Sequence, residues 1–284
     1  MDLTDKRILI TGAGGGIGRA LVSLLLDEGA QVLLTGRDHA ALLKVIEHHA
    51  ERDRAAVFAA DLSCGMDRAR LCDFALRWRG GVDLLINNAA VNDFNLLTTQ
   101  SADELDAAVA TNLIAPIDLC RRLIPRLELS DDARIVNIGS VLGSIGFAAN
   151  SVYCATKFGL RGFSESLRRE LADTNIRVHY FAPRTTRTAF NNALIDDLNK
   201  ALGNPADDPA EVARHIVRAL RDDEFECILG RRERLLARLN ALLPRLVDVA
   251  LLQKLATIRD FASRSPVRPL PRPAVRSIRM TTTS

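Results

Sequence analysis

The run Thr11-Gly-Ala-Gly-Gly-Gly-Ile-Gly18 constrains the fold more than any other stretch of this chain. It follows a short apolar run, Ile8-Leu-Ile10, and opens a helical pattern that continues through Leu26. Glycines at 12, 16 and 18 suit a tight turn, close approach of backbone to a pyrophosphate, and close packing of helix on strand. The helix N-terminus adds free N–H groups and the positive end of a dipole. A glycine-rich run alone is also an ordinary turn. Between strand and helix, it predicts a dinucleotide site built from Thr11, Gly12, Gly14, Gly15, Gly16, Ile17 and Gly18.

Short apolar runs continue at Val32–Leu34, Ala55–Ala59, Val82–Ile86, Arg134–Ile138, Arg177–Phe181 and Phe225–Leu229. Helical patterns fill the gaps at about 39–51, 67–78, 102–128, 151–173 and 208–221. Strands with little polar alternation, separated by helices, predict a parallel sheet covered on both faces. Right-handed crossovers make that sheet a doubly wound α/β fold.

A chain of 284 residues, 48% hydrophobic, buries a sizeable core. Its net charge of +3 is too small to call for nucleic acid. The five cysteines are scattered with no pair at metal spacing, which suits reduced thiols and a cytoplasmic protein with no metal. The N-terminus leads directly into a strand pattern, with no signal peptide expected. Three segments are expected: 1–230 as the folded domain, 231–262 as a helical extension, and 263–284 as a basic tail. In the extension, leucines from Leu235 to Leu255 fall at helical spacing among arginines, and Pro244 should kink or split the helix. The tail carries Arg264, Arg268, Arg272, Arg276 and Arg279 with no acid, which reads as extended or disordered.

The second strand ends Gly36-Arg37-Asp38. Gly36 stands where an acid would hold the ribose 2′-hydroxyl of NAD, and Arg37 suits a 2′-phosphate. NADP(H) is therefore favoured over NAD(H), with Asp38 read as a helix cap. Asp61-Leu62 and Asn87-Asn-Ala-Ala90 end the third and fourth strands, at the edge where such sheets bind ligands. Asn88, Ala89 and Ala90 are candidate cofactor contacts, and side-chain amides there could tie neighbouring strands together.

Tyr153 and Lys157, four residues apart, share one helix face, and Ser140 lies thirteen residues before the tyrosine. An adjacent cation favours phenolate, which would make Tyr153 a usable general acid or base near neutrality.

From Lys6 to about Gly230 the chain resembles the short-chain dehydrogenase/reductase family. The resemblance rests on Thr11-Gly-x-x-x-Gly-x-Gly18, Asn87-Asn-Ala-Ala90, Asn112, Ser140, Tyr153-x-x-x-Lys157 and Pro183…Thr188, in order and spacing. It implies a Rossmann-type domain with a seven-stranded sheet, and reduction of a carbonyl or oxidation of the alcohol. It also implies roles: Tyr153 as acid/base, Ser140 as donor to the substrate oxygen, Lys157 on the nicotinamide ribose, and Asn112 holding a water in the proton relay. Pro183 and Thr188 resemble contacts near the nicotinamide carboxamide. Three positions depart from the family's usual pattern: Arg184 and Ala90 where glycine is common, and Gly15 where some NADP-dependent members carry an arginine.

The expected activity is NADP(H)-dependent reduction of a ketone or aldehyde by a homodimer or homotetramer. The alternative is a catalytically silent NADP-binding sensor or scaffold, which the intact Asn-Ser-Tyr-Lys set disfavours. Ile145, Phe147, Phe190 and Leu194 are the expected walls of a hydrophobic or acyl-chain pocket. For residues 231–284 two readings stay open: packing on the domain or a dimer partner, or peripheral contact with an anionic membrane.

Overall fold

Ile8, Leu9 and Ile10 are all fully buried, so successive side chains of one strand enter two different layers. Seven strands make up the sheet in the computed structural model, which describes residues 1–265. They are β1 (Arg7–Thr11), β2 (Gln31–Gly36), β3 (Ala55–Ala59), β4 (Leu84–Asn87), β5 (Ala133–Ile138), β6 (Ile176–Ala182) and β7 (Glu226–Ile228). All pair in parallel, in the order β3-β2-β1-β4-β5-β6-β7. The order reverses at β1, which leaves a crevice between the ends of β1 and β4.

One layer joins Ile8, Ile10, Val32 and Leu34 to helices α1 (Gly16–Asp27) and α2 (His39–Ile46). The other joins Leu9, Leu33 and Leu85 to α3 (Gly65–Arg77) and to the helices that follow β4. The doubly wound α/β fold expected from the strand patterns is the fold observed.

The expected helix over 102–128 is interrupted. α4 (Ala102–Val109) and α5 (Ala115–Leu127) flank a π turn at Ala110–Ile114. Pro116 has no N–H for the carbonyl of Asn112 four residues back, so the α ladder cannot continue there. The helix expected at 39–51 ends at Ile46, with a separate turn at Arg52–Arg54. α6 (Ser151–Glu170) is fastened to the sheet by a buried amide chain. Asn87 Nδ2 donates to Asn137 Oδ1 at 2.9 Å, and Asn137 Nδ2 donates to Ser164 Oγ at 2.8 Å.

Beyond β6 lie α7 (Ala193–Ala201), which no helical pattern anticipated, and α8 (Pro209–Arg221), which packs beside α1. The extension forms α9 (Arg231–Leu242), α10 (Pro244–Leu252) and α11 (Leu255–Ser263), the first break falling at Pro244 as expected. α11 runs past the expected end of the helical segment, and the rest of the basic tail, from residue 266, lies outside the described residues.

The extension packs on its own domain. Ala237 and Val247 join Val141, Ile145 and Tyr180, while Ile258 and Ala262 join Phe94 and Leu198. Burying a Val or Ile side chain contributes about 1.5–3 kcal/mol, enough to hold such short helices down. The opposite face leaves Leu235, Leu242, Leu246, Val249 and Leu252 at 60–78% exposure. No helix among the described residues is long and apolar enough to cross a membrane.

Candidate active site

The glycine run makes its turn through Gly12, whose φ of 64° is left-handed. A Cβ at Gly12 would press on the Ala89 backbone, and one at Gly18 on the Gly12 carbonyl. Only glycine therefore lets β1, β4 and α1 close up together. Gly15 caps α1 with no side-chain hydrogen bond, so the first-turn N–H groups are left for a ligand. Gly14, Gly15, Gly16 and Ile17 line a cleft of about 730 Å³. A Cβ at Gly16 would meet the Thr188 side chain, so Thr188 closes over the turn.

Thr11 departs from expectation. It is 1% exposed and does not line the cleft. Its Oγ accepts from Asn88 N at 2.9 Å and Ala89 N at 3.0 Å. Asn88 Nδ2 donates back to the Thr11 and Gly12 carbonyls. Thr11 thus shapes the crevice floor, while Asn88, Ala89 and Ala90 face the cleft.

At the far end, Asp38 accepts from Ala41 N at 3.1 Å and caps α2. Arg37 is exposed, lines the cleft, and has no hydrogen-bond or ion-pair partner among the described residues. Asp61 accepts from Ser63 Oγ at 2.8 Å and Ser63 N at 2.9 Å. These bonds, and Arg37 nearby, hold its carboxyl below the usual range. Leu62 and Ser63 complete this wall; Ser63 was not anticipated. The uncapped helix end and the glycine cradle fit the pyrophosphate of a dinucleotide.

The chemistry-bearing groups meet where β5 and α6 approach. Ser140 Oγ accepts from Leu142 N at 3.1 Å, fixing the turn after β5. Tyr180 packs against Gly139 and Gly143, where a Cβ would overlap its ring or its hydroxyl, and that hydroxyl donates to the Ser140 carbonyl at 3.4 Å. Lys157 Nζ donates to the Ile138 carbonyl at 3.0 Å and lies 5.7 Å from the Tyr153 ring centroid. Tyr153 and Ser140 face the same cleft and interact through their hydroxyls.

Burial pushes Tyr153 up to about 12, partly offset by Ser140, and pushes Lys157 down to about 8. The expected lysine-induced lowering of Tyr153 is therefore reversed in the protein alone. Desolvation of the phenol is the largest cause, and the Ser140 hydroxyl offsets only part of it.

Asn112 is fully buried in the π turn. Its Oδ1 accepts from Val91 N at 2.8 Å, and its Nδ2 donates to the Val91 carbonyl at 2.8 Å and Thr156 Oγ at 3.2 Å. The side chain braces the loop after β4 and does not line the cleft.

Ile145, Phe147 and Phe190 line the remaining wall, and the Phe190 ring lies 6.2 Å from that of Tyr153. Leu194 does not line it; α7 presents Ile195 and Leu198 instead. The extension adds Glu233, Leu236, Leu251 and Lys254, which no local motif had marked. Pro183 and Arg184 line the cleft beside Thr188. Arg184 grips Asp207 with two hydrogen bonds, at 2.9 and 2.6 Å, and reaches Glu233 at 3.5 Å. Among the described residues no cluster of His, Cys, Asp or Glu side chains is placed to hold a metal ion.

The family model described as short chain dehydrogenase matches residues 6–199. The chain is 33% identical over 223 residues to the 3-oxoacyl-(acyl-carrier-protein) reductase FabG of Vibrio harveyi, covering 76% of this chain and 90% of that protein. A metagenomic short-chain oxidoreductase solved with NADP is 32% identical, with a TM-score of 0.68 over 81% of this chain and 98% of that one. A Burkholderia phymatum short chain dehydrogenase/reductase solved with NAD shares the fold, with a TM-score of 0.78 at 24% identity, covering 87% of this chain and 96% of the other.

Proposed function

The chain belongs to the short-chain dehydrogenase/reductase family and is an NAD(P)-dependent oxidoreductase; from that premise we propose that it reduces a hydrophobic or acyl-chain ketone or aldehyde with NADP(H). One observation carries the reading. A single cleft runs from the glycine turn and Arg37 to the Ser140–Tyr153–Lys157 group.

Arg37 favours NADP(H), since its guanidinium has no hydrogen bond or ion pair with any described residue and suits a 2′-phosphate. Gly14 to Ile17 and the free N–H groups of α1 would hold the pyrophosphate, with Pro183 and Thr188 at the nicotinamide end. When bound, the nicotinamide supplies the hydride for the carbonyl carbon.

The protein's own groups handle the proton. Ser140 and Tyr153 hydroxyls hold the substrate oxygen. Tyr153, lifted to about 12, keeps its proton at neutral pH, the form that reduction needs of a general acid. Lys157 is charged below about 8 and steadies the negative charge left on the phenol oxygen. With the Asn112 side chain committed to Val91 and Thr156, the relay water is assigned to its backbone carbonyl.

The apolar wall of Ile145, Phe147, Ile195 and Leu198 suits a chain, and the relative that acts on 3-oxoacyl groups supports an acyl-chain carbonyl. Turnover of NADPH and NADH with ketones and aldehydes of rising chain length tests this. Rates that climb with chain length and favour NADPH support it; absence of turnover with every carbonyl contradicts it.

The exposed leucines of α9 and α10, with Arg231, Arg232 and Arg238 beside them, also support peripheral contact with an anionic membrane. Co-sedimentation with anionic vesicles, full chain against a chain ending at Gly230, tests that contact. Equal, negligible binding by both contradicts it.

A further inference from the structure

We propose that Lys254 is a specificity-determining residue that takes the anionic head group of an amphiphilic carbonyl substrate. The proposal deepens, and rests on, the reading of the cleft as a carbonyl-reductase site.

Lys254 sits at the joint between α10 and α11. Its N–H donates to the Leu251 carbonyl and its own carbonyl accepts from Ile258 N, both at 3.0 Å. Leu251 packs with Val141 and Ile145, just beyond Ser140. Ile258, 1% exposed, packs with Phe94 and Leu198. The joint is therefore pinned between two clusters that wall the substrate half of the cleft, and Lys254 lines it.

The other cations of the cleft are committed or distant. Lys157 is bonded to the Ile138 carbonyl, and Arg184 to Asp207 and Glu233. Arg37 stands beside Asp61 at the opposite end. The Lys254 ammonium, half-buried, has no ion pair or hydrogen bond with any described residue. The two clusters that flank the joint bring Leu236, Leu251, Ile195 and Leu198 to the same cleft, which Glu233, Asn199 and Asn204 also line. A half-buried ammonium with no partner is screened less than one in bulk water, which strengthens its attraction for an incoming anion. Apolar walls with one free ammonium match an apolar chain ending in a carboxylate or a phosphate. The source of this feature is the chain's own extension, beyond the family-matched residues 6–199.

Isothermal calorimetry with dodecanoate, dodecyl phosphate and dodecanol on the full chain tests the assignment. At least one anionic amphiphile should bind about tenfold or more tighter than dodecanol, and the two anionic arms distinguish carboxylate from phosphate. Lys254→Met should erase that preference while leaving dodecanol affinity unchanged, and Lys254→Arg should retain it. A preference that survives in Lys254→Met, or no preference or no binding in the wild type, overturns it. Reduction of a neutral medium-chain ketone is measured in parallel. Absence of head-group preference in the wild type, or its survival in Lys254→Met, with intact turnover overturns only this inference. Lys254-dependent binding without turnover overturns only the carbonyl-reductase reading.

Discussion

Lys157 holds its ammonium 5.7 Å from the centroid of the Tyr153 ring while donating at 3.0 Å to the Ile138 carbonyl. The two side chains move in opposite directions on burial, the phenol up to about 12 and the ammonium down to about 8. Reduction needs the protonated phenol and the charged lysine. Both are present below about pH 8, and only the phenol survives above it. The kcat/KM for carbonyl reduction should be level near pH 7 and fall about tenfold per pH unit above about 8. Lys157→Met should be slow and lack that fall. A wild-type profile level to pH 10 contradicts the assignment.

The same shift predicts a stability difference. Lys157 is depressed from 10.5 to about 8 in the folded chain, so between those values the unfolded chain binds more protons. Its contribution to stability therefore rises with pH across that window. Cys72 and Cys120, raised from 9.0 to about 12, act the other way above pH 9, so a difference between two proteins is the informative quantity. Urea unfolding should find Lys157→Met more stable than wild type at pH 7.5. That advantage should shrink by about 2 kcal/mol by pH 9.5. A constant difference contradicts burial as the cause.

Arg37 offers a free guanidinium to a 2′-phosphate and nothing specific to a 2′-hydroxyl. Arg37→Ala should weaken NADPH binding by about tenfold or more and leave NADH binding unchanged. Fluorescence titration with both cofactors measures this. Equal effects on the two would remove Arg37 from cofactor selection.

Arg184 ties the segment after β6 to Asp207 and, through Glu233, to the first helix of the extension. Arg184→Gly leaves both carboxylates without that partner, at a cost of about 1–3 kcal/mol. Amide exchange in α9 should quicken more than in α1 or α8. Uniform protection across all three helices contradicts a clamp.

Much of this was legible in the residues. Apolar residues at both parities of the central strands, with the glycine turn, carried the sheet and its crevice. Tyr153, Lys157 and Ser140 were found because a helix repeat and a strand end fix where they point. Thr11 was misjudged because spacing does not tell which face of β1 a side chain takes. The π turn had a visible signal, Pro116 inside the helical pattern. α7 had one too: Asn192, which caps it, precedes Leu194, Ile195 and Leu198 at helical spacing. The mistaken choice of Leu194 followed from missing that helix. Glu233, Leu236, Leu251 and Lys254 carried no local signal, because they reach the cleft by folding back onto residues far earlier in the sequence. The reversed Tyr153 shift was hidden for a related reason, since burial is a property of the assembled core.

The central claim is that Tyr153 gives the proton as the carbonyl takes hydride. It is tested most directly by NADPH oxidation with a medium-chain ketone, wild type against Tyr153→Phe. The variant should lose at least about two orders of magnitude in kcat/KM while binding NADPH as the wild type does. Turnover by Tyr153→Phe at the wild-type rate would contradict the account, because the only other tyrosine, Tyr180, is buried beneath the Ser140 turn and does not line the cleft.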